Sequence, residues 1–198
     1  KAAQKPHVIP SAARDLKKAA QILKSGGVVI FPTDTVYGIG CIYNKEGLLK
    51  IYKIKNRPQN LPFPVLVSSI EQAKSIVNMN RLARGLAKKH WPGGLTIILP
   101  LRHPESRSVY MNVAKDLKTP KLGIRMPNSR ITLSLIKKCG SPIVGTSANF
   151  HGQNSIADFE SLDPELIKLA DYVLKGKCAG GIESTVVDVS DNNLQVIR

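Results

Sequence analysis

Short apolar runs alternate with amphipathic helical patterns along most of this chain of 198 residues. The apolar runs predict strands at 28–31, 64–67, 95–101, 122–126, 142–147 and 172–174, and the patterns between them predict helices at 11–26, 45–55, 69–77, 80–90 and 128–140 and after Asp163. Segments 184–189 and 194–198 are typical of a closing hairpin. We therefore predict one α/β domain over residues 1–198, a twisted open mixed sheet flanked by helices.

Charge is the strongest compositional feature. The chain carries 29 Lys and Arg against 14 Asp and Glu, a net charge of +15. The basic residues are spread along the sequence, which favours a folded surface with a positive face that attracts polyanions such as nucleotides, RNA or acidic membranes. A requirement for solubility alone would give the same excess of Lys and Arg over Asp and Glu. No apolar run reaches the roughly 18 residues of a membrane span, and three widely spaced cysteines fit a reducing cytoplasm.

The segment 25–40 places a buried strand directly before a polar segment. We expect the strand to end at Pro32, which cannot donate a ladder hydrogen bond. Thr33, Asp34 and Thr35 then lie at a strand end, where their polar groups can meet a ligand, and Gly38 and Gly40 allow a turn or a close approach. A similar polar segment, 145–149, lies at the end of the predicted strand 142–147, and Ser184 and Thr185 lie at the start of segment 184–189.

Two arginines are expected to have anionic partners. Arg125 lies inside an apolar strand, where an unpaired charge is costly, and its partner is either a protein carboxylate or a ligand anion. Arg57 lies in the loop beyond the predicted helix 45–55, so a helix dipole does not account for it.

Several familiar sites are absent from the sequence. There is no phosphate-binding G-x-x-x-x-G-K-[ST], and the dinucleotide fingerprint fails because Tyr43 replaces its third glycine. The run 145–149 misses G-x-S-x-G at its last position and has no histidine partner, which argues against a serine hydrolase. Cysteines and histidines do not show zinc spacing, so we expect no protein metal site. With 5% aromatic residues, a stacking platform for single strands is also disfavoured.

Six segments together resemble the YrdC-like family of L-threonylcarbamoyladenylate synthases. They are 31–40 (FPTDTVYGIG), 55–58 (KNRP) with Pro62, 91–96 (WPGGLT), 123–127 (GIRMP), 146–149 (TSAN) with Gly152, and 184–188 (STVVD). They occur in the family's order over about residues 10–198. The resemblance implies a twisted α/β sheet with a positively charged concave face.

The resemblance also implies a reaction. L-Threonine and bicarbonate form N-carboxythreonine, which attacks the α-phosphorus of ATP and releases pyrophosphate, giving the activated precursor of the t6A modification of tRNA. Carried over by motif, the residues that hold threonine and its carbamate are Thr35, Arg125 and Ser184, and those that hold ATP are Lys55, Arg57, Ser147, Asn149, Ser155 and Arg198. Lys55 and Arg57 are the expected catalytic residues, and Mg²⁺ is expected with ATP.

The expected partners are ATP, L-threonine, bicarbonate and the tRNA threonylcarbamoyl-transfer machinery, with RNA as a further possibility and no membrane. Some positions depart from the family pattern. Leu61 and Leu66 stand where longer members often have a polar residue and a histidine, respectively, and residues 92–94 are Pro-Gly-Gly in place of the commoner Pro-Gly-Pro. The second domain of those longer members is also missing, so we expect the short, single-domain form.

Two alternatives stay open from the sequence. One is a double-stranded RNA-binding or ribosome-maturation protein that uses the same basic cleft without synthase activity. The other is a carbamoyl-adenylate-forming module. If the synthase reading holds, we expect Lys55→Ala and Arg57→Ala to cut turnover with little loss of stability, because exposed cleft cations rarely hold a fold together.

Overall fold

The computed structural model describes residues 12–59, 61–102 and 121–198. Within these ranges six α-helices flank a nine-stranded mixed sheet, so the predicted α/β fold is confirmed. The helices are α1 (Ala12–Lys24), α2 (Lys45–Lys55), α3 (Ile70–Ile76), α4 (Arg81–His90), α5 (Arg130–Cys139) and α6 (Pro164–Leu169). The strands are β1 (Val29–Pro32), β2 (Tyr37–Ile42), β3 (Val65–Leu66), β4 (Leu95–Pro100), β5 (Lys121–Arg125), β6 (Ile143–Ser147), β7 (Tyr172–Val173), β8 (Thr185–Asp188) and β9 (Gln195–Val196).

The sheet order is β7-β1-β2-β6-β3-β5-β4-β8-β9. The pairs β7/β1, β3/β5 and β4/β8 are parallel, and the other neighbours are antiparallel. The predicted closing hairpin is present as β8 and β9, with Val187 opposite Val196. This order brings the ends of β1, β6 and β8, which are far apart in sequence, onto one sheet.

Two details of the local structure differ from expectation. The polar segment after β1 is a tight connection to a second strand, β2, and Gly38 and Gly40 lie inside that strand rather than in a turn. Gly40 must stay small because a Cβ there would lie 2.2 Å from the carbonyl oxygen of Val144 and 2.8 Å from the Phe31 ring, and a Cβ on Gly38 would lie 3.0 Å from the same ring. The cap of α5 is Ser129, whose hydroxyl accepts from the Thr132 amide, and not Asn128. The polar loop predicted at 102–120 lies, apart from Arg102, outside the described residues.

Helices cover the two faces of the sheet unequally. On one face, Ile39, Val65 and Ile97 pack with apolar residues of α2, α3 and α4. Side chains alternate between faces along a strand, so Phe31 and Leu66 lie on the opposite face, where they pack against α1 and α5. Strands β4, β5 and β8 leave part of that second face open. None of the described helices is long and apolar enough to cross a membrane.

Candidate active site

A cavity of about 770 Å³ lies on the partly open face of the sheet. Alternate residues of neighbouring strands form its floor, which is the period expected for one face of a sheet. The floor residues include Gly38 of β2, Leu66 of β3, Thr96 of β4, Gly123 of β5, Gly145 of β6 and Val186 of β8. The glycines leave room above the strands, and the polar strand ends form the walls.

The structure brings the predicted site residues together. Eight of them line this single cavity: Thr35, Lys55, Arg57, Arg125, Ser147, Asn149, Ser184 and Arg198. Ser155 does not line it, but its hydroxyl donates to the carboxylate of Glu183, which does. Their binding roles stay predictions; what the structure supplies is their convergence from distant parts of the sequence.

Lys55, the last residue of α2, is buried and points its ammonium at the segment that follows β6. Its Nζ donates to the carbonyl oxygens of Ser147, at 2.5 Å, and Asn149, at 2.6 Å, and to Asn149 Oδ1, at 2.9 Å. Burial lowers the pKa of Lys55 to about 8, with the charge of Arg57 adding to the shift and that of Glu183 opposing it. Only 2% of Lys55 is exposed, so the expected exposed cleft cation is wrong for this residue.

Arg125 ends β5 and has protein partners on three sides. Its Nη2 donates to Asp34 Oδ1 at 2.5 Å, its Nη1 to the Thr35 hydroxyl at 3.0 Å, and its Nε to the Gly93 carbonyl at 3.1 Å. Of the two partners that the sequence left open, the structure contains the protein carboxylate. Burial lowers the pKa of the Arg125 guanidinium, and the Asp34 carboxylate opposes that shift.

Hydroxyl and amide groups complete the walls. Ser184 Oγ lies 2.9 Å from Thr96 Oγ1, and both residues are buried. Ser147 Oγ donates to Asn149 Oδ1 at 2.7 Å, and the Asn149 amide nitrogen donates to the Gln153 carbonyl. These contacts fix the polar atoms before any ligand enters, which is the arrangement that oriented binding requires.

The two remaining arginines lie nearer the rim. The Arg57 guanidinium stacks over the Phe63 ring, 5.1 Å from its centroid, and its Nε donates to the Leu61 carbonyl at 3.3 Å. Arg198 forms an ion pair with Glu183 and donates through Nε to the Ser184 carbonyl. Glu183 thus joins Ser155 to Arg198 beside the cavity.

Positive side chains predominate in the lining, although three of them, Lys121, Arg125 and Arg198, form ion pairs with carboxylates. Five Lys or Arg residues and one carboxylate, Glu183, line the cavity. Such a lining suits a ligand with several negative charges. Among the described residues no group of three or more His, Cys, Asp or Glu side chains could hold a metal ion.

Sequence reasoning missed Thr96, Lys121 and Glu183. Lys121 had a usable signal, because it precedes Gly123 and Arg125 at a spacing of two and therefore shares their face of β5. Thr96 also had one, because it ends the family-matched segment 91–96, whereas Glu183 lies in none of the six segments.

A family model described as "Telomere recombination", named for Sua5, YciO and YrdC, matches residues 21–198. The chain belongs to this family. A Bacillus subtilis relative named threonylcarbamoyl-AMP synthase is 37% identical over 186 residues, which are 92% of this chain and 52% of that protein. A Methanocaldococcus jannaschii relative is 35% identical, over 92% of this chain and 86% of that protein.

Solved structures of the Sua5/YciO/YrdC family agree with the fold. A crystal structure of Pyrococcus abyssi Sua5 complexed with L-threonine matches with a TM-score of 0.86 and 29% identity, over 95% of this chain and 54% of that one. The chain thus spans about half the length of the B. subtilis and P. abyssi proteins.

Proposed function

We propose that this chain is an L-threonylcarbamoyladenylate synthase, a nucleotidyltransferase that makes threonylcarbamoyl-AMP and pyrophosphate from L-threonine, bicarbonate and ATP. The observation that carries the proposal is the convergence of the family-matched residues on one cationic cavity. The names of the relatives and the L-threonine complex of P. abyssi Sua5 support it.

Threonine would occupy the part of the cavity between β5 and β8. The Arg125 guanidinium would bind its carboxylate, and the hydroxyls of Thr35 and Ser184 would bind the remaining polar groups. Thr96 adds a second hydroxyl beside Ser184. Both cations at this end have carboxylate partners, Arg125 with Asp34 and Lys121 with Asp188 and Asp191, so the bound anion would share each of them with a protein carboxylate.

ATP would bind toward the segment after β6 and the rim. The residues there are Lys55, Arg57, Ser147, Asn149 and Arg198, with Ser155 held beside them by Glu183. Mg²⁺ would enter as the counter-ion of ATP, bound to phosphate oxygens, because the cavity lining has one carboxylate and Mg²⁺ prefers several oxygen ligands. We therefore expect the described lining residues to meet Mg²⁺ only through the nucleotide.

The proposed chemistry needs no protein nucleophile. The threonine amine adds to the carbon of bicarbonate and water is lost, which gives the carbamate. A carbamate oxygen then attacks the α-phosphorus of ATP, and the bond from that phosphorus to the bridging oxygen breaks as pyrophosphate leaves. The chain contributes orientation of the reactants and neutralisation of anions that would otherwise repel one another.

The test is pyrophosphate release from ATP, Mg²⁺, L-threonine and bicarbonate, with threonylcarbamoyl-AMP identified by mass spectrometry. Release should require all three substrates, and removal of Mg²⁺ should abolish it. Pyrophosphate release at the same rate with and without threonine would contradict the proposal. Release that requires carbamoyl phosphate in place of bicarbonate would instead indicate a carbamoyl-adenylate-forming module.

The expected consumer of the product is the tRNA threonylcarbamoyl-transfer machinery, and the cytoplasm is the compartment that the three free cysteines favour. Double-stranded RNA binding with steep salt dependence, in the absence of any pyrophosphate release, would support the RNA-binding alternative.

A further inference from the structure

Asp34 contacts the proposed threonine site without lining the cavity. Its side chain is 11% exposed, and its Oδ1 accepts from Nη2 of Arg125, whose side chain is 8% exposed. The cavity lining includes Arg125 and Thr35 but not Asp34. Asp34 therefore reaches a ligand in the cavity only through the arginine.

The contacts of Arg125 show what the carboxylate fixes. Gly93 accepts from Nε, Thr35 accepts from Nη1 and Asp34 accepts from Nη2, so each nitrogen of the planar guanidinium has a protein acceptor. Of these three acceptors, Asp34 is the charged one and has the shortest contact, at 2.5 Å. A charge-assisted hydrogen bond of this kind is stronger than the two neutral ones and contributes most to the orientation.

The Thr35 hydroxyl depends on the same orientation. Thr35 Oγ1 lies 3.0 Å from Thr33 Oγ1, and the Thr33 hydroxyl donates to the Val36 carbonyl. Because Thr35 accepts from Arg125, a rotation of the guanidinium would change the hydrogen bonds of two of the three residues predicted to bind threonine.

We propose that Asp34 is a positioning residue for the amino-acid substrate: its carboxylate holds the Arg125 guanidinium in the orientation in which Arg125 binds the substrate carboxylate and the Thr35 hydroxyl binds another polar group of the substrate. Asp34 also offsets part of the cost of burying that guanidinium. The inference rests on the proposed function for the identity of the substrate. The orientation of Arg125 does not depend on it.

The experiment compares Asp34→Ala, Asp34→Asn and the native chain in steady-state kinetics. Asp34→Ala should raise the KM for L-threonine about tenfold or more while the KM for ATP changes less than about twofold. Asp34→Asn keeps an acceptor oxygen at the same place and should recover much of the threonine KM. Asp171→Ala is the matched control, because Asp171 accepts from the Val28 amide and is not part of the cavity lining. It should lower thermal stability and leave both KM values unchanged.

A readout without activity tests the orientation itself. The Nη protons of Arg125, assigned by their loss in Arg125→Lys, should give separate NMR signals in the native chain and averaged signals in Asp34→Ala. Unchanged Arg125 signals in Asp34→Ala, or parallel increases in both KM values, would overturn the proposal. If the native chain releases no pyrophosphate with threonine, the proposed function fails, and the NMR comparison still decides whether Asp34 orients Arg125.

Discussion

The Lys55 ammonium donates to the backbone carbonyl of Asn149 at 2.6 Å and to the side-chain oxygen of the same residue at 2.9 Å. It thereby joins the last residue of α2 to the segment after β6, 94 positions away in the sequence. The sequence predicts Lys55 as a ligand-binding cation, and in this structure its hydrogen bonds also hold two parts of the cavity wall together.

Lys55→Met should destabilise the fold, in contrast to the expectation from sequence. The methionine keeps the apolar stem but leaves the three acceptors without their donor, which should lower the free energy of unfolding by about 1–3 kcal/mol. Urea unfolding measures the change. Lys53→Met on the exposed side of the same helix is the control and should be neutral. Equal stability of both variants would show that these hydrogen bonds contribute nothing net.

ATP affinity should depend on pH through Lys55. Because the pKa of this lysine is lowered to about 8, its ammonium loses its proton as the pH rises through that value, and the neutral amine attracts phosphate less. The Kd for ATP, measured by calorimetry without threonine, should therefore increase above about pH 8. In Lys55→Arg the side chain stays charged throughout, so its Kd should show no such rise. A native profile that is flat to about pH 10 would contradict the lowered pKa.

Arg57→Ala should separate function from stability. The side chain is half-buried and contacts the Phe63 ring, so its loss should change the free energy of unfolding by about 1 kcal/mol or less. Its guanidinium lines the cavity, and kcat/KM for ATP should fall about a hundredfold. Arg81→Ala, on the exposed first turn of α4, is the matched loss of charge and should leave kcat/KM unchanged.

Two glycine substitutions should change stability in opposite directions. Gly40→Ala places a methyl group 2.2 Å from the Val144 carbonyl oxygen, and the resulting overpacking should cost about 3 kcal/mol. Gly85→Ala lies in α4 with no atom within 4 Å of the new methyl group, and the higher helix propensity of alanine should raise stability by about 0.5–1 kcal/mol. Thermal unfolding of both variants is the measurement. A Gly40→Ala chain as stable as the native chain would mean that β2 and β6 can move apart where Gly40 pairs with Gly145.

Serine should be a poor but detectable substrate if the proposed function holds. It lacks one methyl group of threonine, which is worth about 1–3 kcal/mol in a shaped pocket. Its kcat/KM should therefore be about 10–200-fold lower than that of threonine in the pyrophosphate assay. Equal values would contradict a pocket that contacts the methyl group.

Local signals predicted much of the fold. The bounds of α2 agree with the expected 45–55, because Asn44 caps its start and Asn56, in the left-handed conformation, ends it. Strand β2 was missed because a polar segment, 33–35, followed by two glycines is typical of a turn. Its glycines are required by the Phe31 ring and the Val144 carbonyl, which lie on other strands and leave no trace in the local sequence.

The site was predictable as a set of residues and not as a set of contacts. The family motifs named Thr35, Arg125 and Ser184, but the partner of Arg125 is Asp34, 91 positions away, and the partner of Ser184 is Thr96, 88 positions away. Such pairs depend on strand register. The burial of Lys55 likewise follows from the packing of α2 against β2, which no charge pattern reveals.

The glycines of the cavity floor determine what can change the size of the binding space. Since Gly38, Gly123 and Gly145 belong to strands of the sheet, the depth of the chamber at its floor depends on the size of the side chains at these positions. One added methyl group at Gly123 would approach the Thr96 methyl at 3.1 Å and make the chamber shallower while leaving the cations of the rim in place. The capacity of the chamber and the charge at its entrance can therefore be altered independently.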